Sequence, residues 1–420
     1  IRIIEDGLPG SAMPAWGGEL SKAEVEEMAD YILKLGKIEK PLPISVERFG
    51  EVKVNAESIE RGRVLFKERC AECHGTFGRG NTTKRLKDDW GEVTWPRNFS
   101  KPWSFRGGYT REYIYSRITI GTPGTQMPSY DDPRNKKSLM PEERWDVVNY
   151  VWSLKEPYKE PRGRDLITAL YVDGIIPDAF DDPVWSSAPY LSFYLNPQLK
   201  RAEKLYTPTI DSVSVKALYN EKVLTLLMEW DDFTKSVPGL RGSDKIAGGE
   251  HARDGFSVQM PLKGGGEFSE DERVYGVKPA LEMGSSFRGV VDWLWRGPEK
   301  DKRDELLEFH AHGSGTLKEV PLSASVRFLS RYRDGSWQLM VKYPLKGTPL
   351  DFRSNDFTPI AFAAWDGSNM ERAARHSLSS WAYLYLKPGY SFKPYAWGLG
   401  VFIITIIFEV VFIRRKRGKP

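Results

Sequence analysis

Cysteine and histidine are scarce in this chain of 420 residues, which contains two cysteines and five histidines. Two cysteines cannot supply a zinc site built from four thiolates. The net charge of +4 is small for this length, so nucleic-acid binding has no electrostatic support. The sequence also lacks a Ser-His-Asp order, a paired-carboxylate phrase and a nucleotide-binding fingerprint. The two cysteines and the histidines are therefore the first residues to consider as a functional site.

Both cysteines lie in one short motif, CAECH, formed by Cys70, Cys73 and His74 with two residues between the thiols. The spacing C-x-x-C-H is the attachment signature of a c-type haem, in which both thiols hold the macrocycle and the adjoining imidazole binds the iron. A methionine on the far side completes the His/Met pair of cytochromes c. Met127 follows in a loop rich in glycine and proline, and we expect it to be that second ligand. With both thiols used by haem, no disulfide is expected.

The methionine loop has a second copy near the start of the chain. GLPGSAMPAW at residues 7–16 matches GTPGTQMPSY at residues 121–130, so that Met13 aligns with Met127, and the helix-like segments that follow also match. Such an internal repeat indicates two related units. We expect residues 1–36 to be the C-terminal half of a first cytochrome unit, with Met13 as its haem ligand and its attachment motif upstream of residue 1.

Residues 51–155 contain the parts of a complete unit. A helix-like segment from Ile59 to Arg69 leads into the attachment motif, and a segment from Pro141 to Leu154 with a helical apolar stripe follows the methionine loop. This order resembles the class I cytochrome c family, which implies an all-α domain over 51–155 and a linker over 37–50. We expect aromatic residues to line its haem and an arginine to meet the propionates: Trp90, Trp95, Trp103 and Phe105, and Arg97 or Arg106.

The sequence pattern changes after a charged, proline-bearing linker at residues 156–165. The segment SVSVKALYNEKVLTLLMEWDD is expected to form two strands because its apolar residues mostly alternate. SVRFLSRYRDGSWQLMVKY is expected to form a hairpin that turns at Asp334 and Gly335. Further short runs of this kind predict a mainly-β sandwich over residues 166–388.

Several phrases within residues 166–388 occur in a characteristic order, namely LLMEWDDFTK, LEMGSSFRGVVDWLWR and AFAAWDGSNMERAARHSLSSWAYLYL. They resemble the γ-subunit family of ethylbenzene dehydrogenase, which includes the third subunits of dimethylsulfide dehydrogenase, selenate reductase and chlorate reductase. The resemblance implies a β-sandwich that clamps one b-type haem between a methionine and a lysine. It also implies exchange of electrons with a molybdenum enzyme through an iron–sulfur subunit.

The family's methionine corresponds to Met283, in LEMGSS. Where the family has its lysine, this chain has His376, in RHSLSS, so the pattern departs from the family. An imidazole is a common haem ligand, and the resemblance therefore implies ligation by Met283 and His376. Lys387 and Met370 are the alternatives if the correspondence shifts along the chain.

One long apolar run is present, from Tyr395 to Ile413, and it is followed by the basic tail RRKRGKP at 414–420. Its 19 residues are close to the ~20 that a membrane-spanning helix requires. Clustered Lys and Arg mark the cytoplasmic end of such a helix. The run therefore predicts a single-pass membrane protein with its haem domains on the outer, periplasmic face.

Together these patterns predict a multidomain electron-transfer subunit whose catalysis resides in a partner chain. Nitrate reductase or nitrite oxidoreductase is the class of molybdenum enzyme we expect, with a molybdopterin subunit and an iron–sulfur subunit as partners. The other electron partner would be a soluble cytochrome or a quinol-oxidising complex. Two alternatives stay open, a free-standing membrane cytochrome serving an oxidase or a bc-type complex, and a β-sandwich that only docks and binds no haem b.

Overall fold

The structure is a computed structural model in which most of the chain is described. The descriptions below cover residues 1–420 except for the following: 2–3, 6–15, 37–49, 83, 92, 106–107, 162–164, 201, 207, 241–250, 263–288, 314, 347–349, 351, 354–355, 390–401 and 410–420. Met13 and Met283 lie outside the described residues.

Within the described part of the first 155 residues, the named elements are α1 (Lys22–Leu35), α2 (Ala56–Arg69), α3 (Ala71–His74), α4 (Arg111–Ile120) and α5 (Pro141–Ser153), with the short strand pair β1 (Leu86–Lys87) and β2 (Val93–Thr94). The predicted helices before the attachment motif and after the methionine loop are confirmed as α2 and α5. Helix α1 begins at Ser21, whose side chain forms a capping box with Glu24.

Helices α2 and α5 pack closely because glycine stands where they cross. A Cβ atom on Gly62 would lie 1.9 Å from the carbonyl oxygen of Asp146, so no larger residue fits. The buried Asp146 side chain accepts hydrogen bonds from Ser58 Oγ at 2.6 Å and Arg61 Nε at 2.7 Å. Trp145, one residue earlier, is fully buried and belongs to the apolar core of this domain. The helix pair thereby fixes the end of α2, where the attachment motif begins.

The remaining strands are β3 (Leu166–Tyr171), β4 (Leu191–Tyr194), β5 (Asn196–Pro197), β6 (Ser212–Tyr219), β7 (Val223–Asp231), β8 (Gly255–Pro261), β9 (Val290–Arg296), β10 (Glu305–Ala311), β11 (Lys318–Val320), β12 (Arg327–Arg333), β13 (Ser336–Pro344), β14 (Phe357–Trp365), β15 (Ser377–Leu378) and β16 (Ala382–Leu386). The predicted hairpin is confirmed, since β12 and β13 pair across Asp334 and Gly335. Both turn residues have positive φ, which Asp tolerates and Gly favours.

These strands form one mixed sheet of 14 strands, in the main order β11-β10-β9-β8-β14-β16-β3-β6-β7-β13-β12. Most neighbours are antiparallel, but β3 pairs in parallel with both β16 and β6. The two halves of the sheet bury a common core, because Trp230 of β7 stacks on Phe256 of β8 at 4.3 Å and Trp337 of β13 meets Trp295 of β9 at 4.7 Å. The sheet therefore folds back over itself.

The predicted fold class is wrong in two respects. Instead of a β-sandwich, the second part is a single mixed sheet whose halves are joined through β3. Alternating apolar residues predict strands but not their partners, so the parallel pairings were not foreseen. In addition, no helix among the described residues is long and apolar enough to cross a membrane. Of the range 395–413, only residues 402–409 are described, and these are helical. The predicted membrane-spanning helix and the membrane localisation built on it are not supported.

Asp231, the last residue of β7, lies at the centre of an ionic network between the helical domain and the sheet. Its carboxylate is 2.9 Å from Lys101 Nζ and 3.5 Å from the Arg79 guanidinium, and it accepts a hydrogen bond from the Asn98 amide at 2.8 Å. Lys101 also contacts Asp211 at 2.8 Å. Burial alone would raise the pKa of Asp231, but Lys101 and Arg79 hold it at about 2. The network is therefore charged at neutral pH.

A second ionic contact and an aromatic pair lie beside this network. Lys159, which follows α5, bridges Glu156 at 2.8 Å and Glu229 of β7 at 2.6 Å. Trp95 of the helical domain stacks on Phe233, just after β7, with ring centroids 5.4 Å apart. Charge pairing and ring stacking thus fix the helical domain against one end of the sheet.

Replacing Asp231 by Asn removes the central charge but keeps the side-chain shape. We expect the free energy of unfolding to fall by roughly 3 kcal/mol near neutral pH, because Lys101 and Arg79 lose a buried partner. Since the folded pKa lies below the unfolded value of about 3.9, the stabilisation is complete above pH ~4 and is lost as pH falls towards 2. In denaturant titrations, the difference in the free energy of unfolding between the variant and the wild type should therefore become smaller as pH falls from ~4 towards 2.

Asp181→Asn is the matched control, since Asp181 pairs with Arg331 at 2.5 Å on an exposed part of the sheet. Exposed pairs contribute little, so this variant should lose far less stability than Asp231→Asn. Equal losses from the two substitutions would show that the network does not hold the domains together.

Candidate functional site

The attachment motif is placed by the end of α2 and the short helix α3. The backbone N–H of Cys70 donates to Phe66 at 2.8 Å, which closes α2, and the N–H groups of Cys73 and His74 both donate to the Cys70 carbonyl. This tight turn presents both thiols and the imidazole from one short segment. Both cysteines are partly exposed at this turn.

His74 is held in a defined orientation. Its Nδ1 lies 3.3 Å from the carbonyl oxygen of Arg97, and its ring stacks on Phe99 with centroids 4.5 Å apart. Burial lowers the pKa of His74 to about 4, so the imidazole is neutral. A hydrogen bond from Nδ1 to a backbone carbonyl fixes the tautomer that leaves Nε2 for a metal. The imidazole therefore has the charge state and the tautomer of an iron ligand.

The methionine loop packs against the same core. Met127 and Cys70 belong to one apolar cluster with Phe99 and Phe105. The Met127 sulfur accepts from Thr122 Oγ1 at 3.6 Å, and the Met127 carbonyl accepts from the Thr122 backbone at 3.0 Å. The structure thus brings the predicted ligand loop and the attachment motif to one side of the domain core.

Two residues that the sequence did not single out hold this loop. Gly121 has φ +72°, and a Cβ atom there would lie 2.7 Å from the Met127 carbonyl oxygen, so the turn requires glycine. Tyr130 donates its hydroxyl to the carbonyl of Arg69 at 2.9 Å, which ties the loop to the end of α2. Both positions are matched in the two copies of the loop, Gly121 by Gly7 and Tyr130 by Trp16. The repeat therefore indicated that these positions matter, but it did not predict their contacts.

The aromatic residues expected around the haem have separate positions. Phe105 packs in the cluster that contains Met127, whereas Trp95 stacks on Phe233 at the interface with the sheet. Trp90 is exposed, and Trp103 lines a small cavity at the ionic network. Arg97 contributes its carbonyl to His74, and Arg106 lies outside the described residues.

A larger cavity of about 620 Å³ lies on the outer face of the sheet, away from the cytochrome ligands. Alternate residues of β8, β9 and β14 line it, because every second side chain of a strand points away from the buried core. His376 lines this cavity and is buried, with Nδ1 2.9 Å from the Ala373 carbonyl and its ring 4.8 Å from Trp365. The volume of the cavity lies within the range of ~300–1,000 Å³ typical of ligand sites.

Of the proposed ligands of the second haem, His376 alone among the described residues lines this cavity. Lys387 lies exposed at the end of β16, and Met370 lies in the turn after β14 with φ +56°. Met283 belongs to the connection between β8 and β9, outside the described residues. Neither alternative residue lines the cavity.

Residues 59–155 match the cytochrome c family. Together with the attachment motif, this match defines residues 59–155 as a cytochrome c domain that supports haem c.

Relatives extend the comparison beyond that domain. A protein of Haloferax mediterranei described as a respiratory nitrate reductase heme subunit, ORF7, is 27% identical over 241 residues, which cover 56% of this chain and 79% of the relative. Chlorate reductase subunit gamma of Ideonella dechloratans is 25% identical over 218 residues, covering 50% of this chain and 80% of the relative. The chain therefore has a haem-based electron-transfer role, and these relatives are subunits of reductase complexes.

A solved structure, the Kuenenia stuttgartiensis reducing HAO-like protein complex, aligns with 30% sequence identity. The alignment covers 37% of this chain and 70% of that chain, with a TM-score of 0.30.

Met127→Ala tests the predicted haem c ligand. We expect the haem to stay attached through Cys70 and Cys73, but its reduction potential should fall by a sizeable part of the roughly 0.8 V range that axial ligands control. Potentiometric titration of the haem c absorbance measures the change. Met140→Ala is the matched control, because Met140 is exposed at the start of α5. An unchanged potential in Met127→Ala would mean that another residue is the ligand.

Proposed function

We propose that this chain is the electron-transfer subunit of a molybdenum oxidoreductase of the nitrate or chlorate reductase type. It relays electrons between its catalytic partner and a respiratory carrier through one haem c in residues 51–155 and one haem b in the sheet. The names of the Haloferax and Ideonella relatives support this class of complex. The observation that carries the proposal is the buried His376 on the wall of a ligand-sized cavity.

The cavity wall is suited to a flat, largely apolar group. Leu294, Phe309, Ala361 and Trp365 supply apolar surface from three strands. Apolar walls with a few placed polar groups are the usual composition of cofactor sites. An apolar ring system of the size of haem can therefore lie against the outer face of the sheet.

Charge at the rim fits the carboxylates of such a group. Arg296 and Arg372 line the cavity, and both are exposed to solvent at its edge. Guanidinium groups pair with carboxylates through two parallel hydrogen bonds. We assign these two arginines to the propionates of haem b, which places the propionates at the solvent side and His376 at the buried side.

His376 is positioned by the turn that follows β14. The chain then returns as β15, which pairs with β14 at Ala363 and Ala364. The Nδ1 contact with the Ala373 carbonyl orients the ring. An oriented imidazole is held ready for a metal, so this arrangement suits His376 as an axial ligand. The proposed second ligand, Met283, lies in the connection between two strands that line the cavity.

The two haems provide one-electron redox chemistry, and the chain supplies ligation, burial and orientation. His74 and Met127 belong to the domain that the ionic network fixes against β7. His376 belongs to the other half of the same sheet. This connectivity gives a relay within one chain, and substrate chemistry is assigned to the partner.

His376→Ala tests the proposal. We expect the variant to lose roughly 90% of the non-covalent haem, because an axial ligand is removed, while the covalent haem c content stays unchanged. A pyridine haemochrome spectrum of the purified variant separates b-type from c-type haem. His376→Lys, which restores the residue of the resembling family, should regain haem b.

His310→Ala is the matched control. His310 lies on β10 of the same sheet half, where it pairs with Glu308 at 2.8 Å and does not line the cavity. This variant should keep its haem b. If His376→Ala and His310→Ala both show the wild-type haem b content, or if the wild type has none, the cavity is not a haem site. The sheet would then have only a docking role.

A further inference from the structure

Three aspartates meet where strands from both halves of the sheet end. Asp232 directly follows β7, Asp254 directly precedes β8 and Asp366 directly follows β14. All three are at least 99% buried. One carboxylate oxygen from each lies within 4.8 Å of the others. This cluster is separate from the haem c ligands, and only Asp254 borders the cavity that contains His376.

Backbone and indole donors orient two of these carboxylates. Asp254 accepts from the N–H groups of Ser236 at 2.8 Å and Gly367 at 3.0 Å, and from Trp337 Nε1 at 3.0 Å. Asp366 accepts from the backbone and hydroxyl of Ser368, at 2.8 and 2.7 Å. These donors fix the directions of the carboxylates but bring no positive charge.

Asp232 supplies an independent indication of a ligand. Its Oδ1 accepts from the backbone N–H of Thr234 at 3.0 Å, but its buried Oδ2 has no hydrogen-bond donor. Among the described residues, no lysine or arginine forms an ion pair with any of the three aspartates. A buried carboxylate oxygen without a donor or a cation is strongly unfavourable. The cluster thus contains a buried carboxylate oxygen that no hydrogen-bond donor satisfies.

We propose that Asp232, Asp254 and Asp366 bind one calcium ion. Carboxylate oxygens are the preferred ligands of hard divalent cations, and calcium combines them with backbone and water oxygens in a flexible geometry. Calcium accepts a site with few waters, whereas magnesium usually retains several. Because all three aspartates are almost completely buried, few waters can reach the site, which suits calcium better than magnesium.

The ion would join three strand ends and the turn that leads to His376. Asp232 and Asp254 connect the two halves of the sheet, and Asp366 begins the turn that returns as β15. The role is therefore structural, and it stands whether or not the cavity binds haem b.

Equilibrium dialysis with radioactive calcium tests the site on the purified holoprotein after chelator treatment and removal of the chelator. We expect one calcium per chain, with at least a tenfold loss of affinity in Asp232→Asn and Asp366→Asn. Saturating calcium should raise the Tm of the wild type by roughly 5–10 °C. In chelator, Asp232→Asn should melt no lower than the wild type, because it removes a buried charge.

Asp304→Asn is the matched control, since Asp304 also accepts an indole N–H, from Trp295 at 2.9 Å, but lies outside the cluster. It should bind calcium like the wild type. The proposal is overturned if the wild type binds no calcium up to roughly 1 mM, or if Asp232→Asn and Asp366→Asn bind as tightly as the wild type. If both variants fail to fold, calcium binding by the wild type in equilibrium dialysis tests the proposal by itself.

Discussion

The arrangement of the whole chain depends on the buried charge of Asp231 at the end of β7. Lys101 and Arg79 of the cytochrome c domain would be left without this partner if the domain moved away from the sheet. Separation would require water to replace their ion pairs, and the stacking of Trp95 on Phe233 would be lost as well. A domain interface of this kind favours one orientation, since charges that are partly buried tolerate little misalignment. A fixed orientation is what electron transfer between two sites in one chain requires.

The same strand also packs against the strand that lines the cavity with His376. β7 packs its Trp230 on Phe256 of β8, and the opposite face of β8 lines the cavity with His376. The core of the sheet therefore separates the cytochrome domain from the cavity by a layer of packed aromatic rings. Dense packing of this kind holds both sites at a set distance, because close-packed interiors do not deform easily. Asp232, next to Asp231, adds the acidic cluster at the same end of β7.

Much of the cytochrome c site could be predicted from the sequence, because its chemistry is local. The attachment motif, the methionine loop and the two helices around them follow from spacing and periodicity. The strands and the Asp334-Gly335 hairpin were also predictable, whereas the parallel pairing of β3 was not, since it joins distant segments. Asp231 and Asp232 were missed for a related reason. They stand in an ordinary polar run at a strand end, and their partners Lys101, Asp254 and Asp366 come close only in the folded chain.

The most direct test of the relay is pulse radiolysis of the purified chain, with the haem c and haem b absorbances followed separately. The account predicts that electrons that first reach haem c then re-equilibrate with haem b at a rate independent of protein concentration. A second phase whose rate rises with protein concentration would show transfer between molecules. That result, or the absence of any second phase, would contradict a relay within one chain.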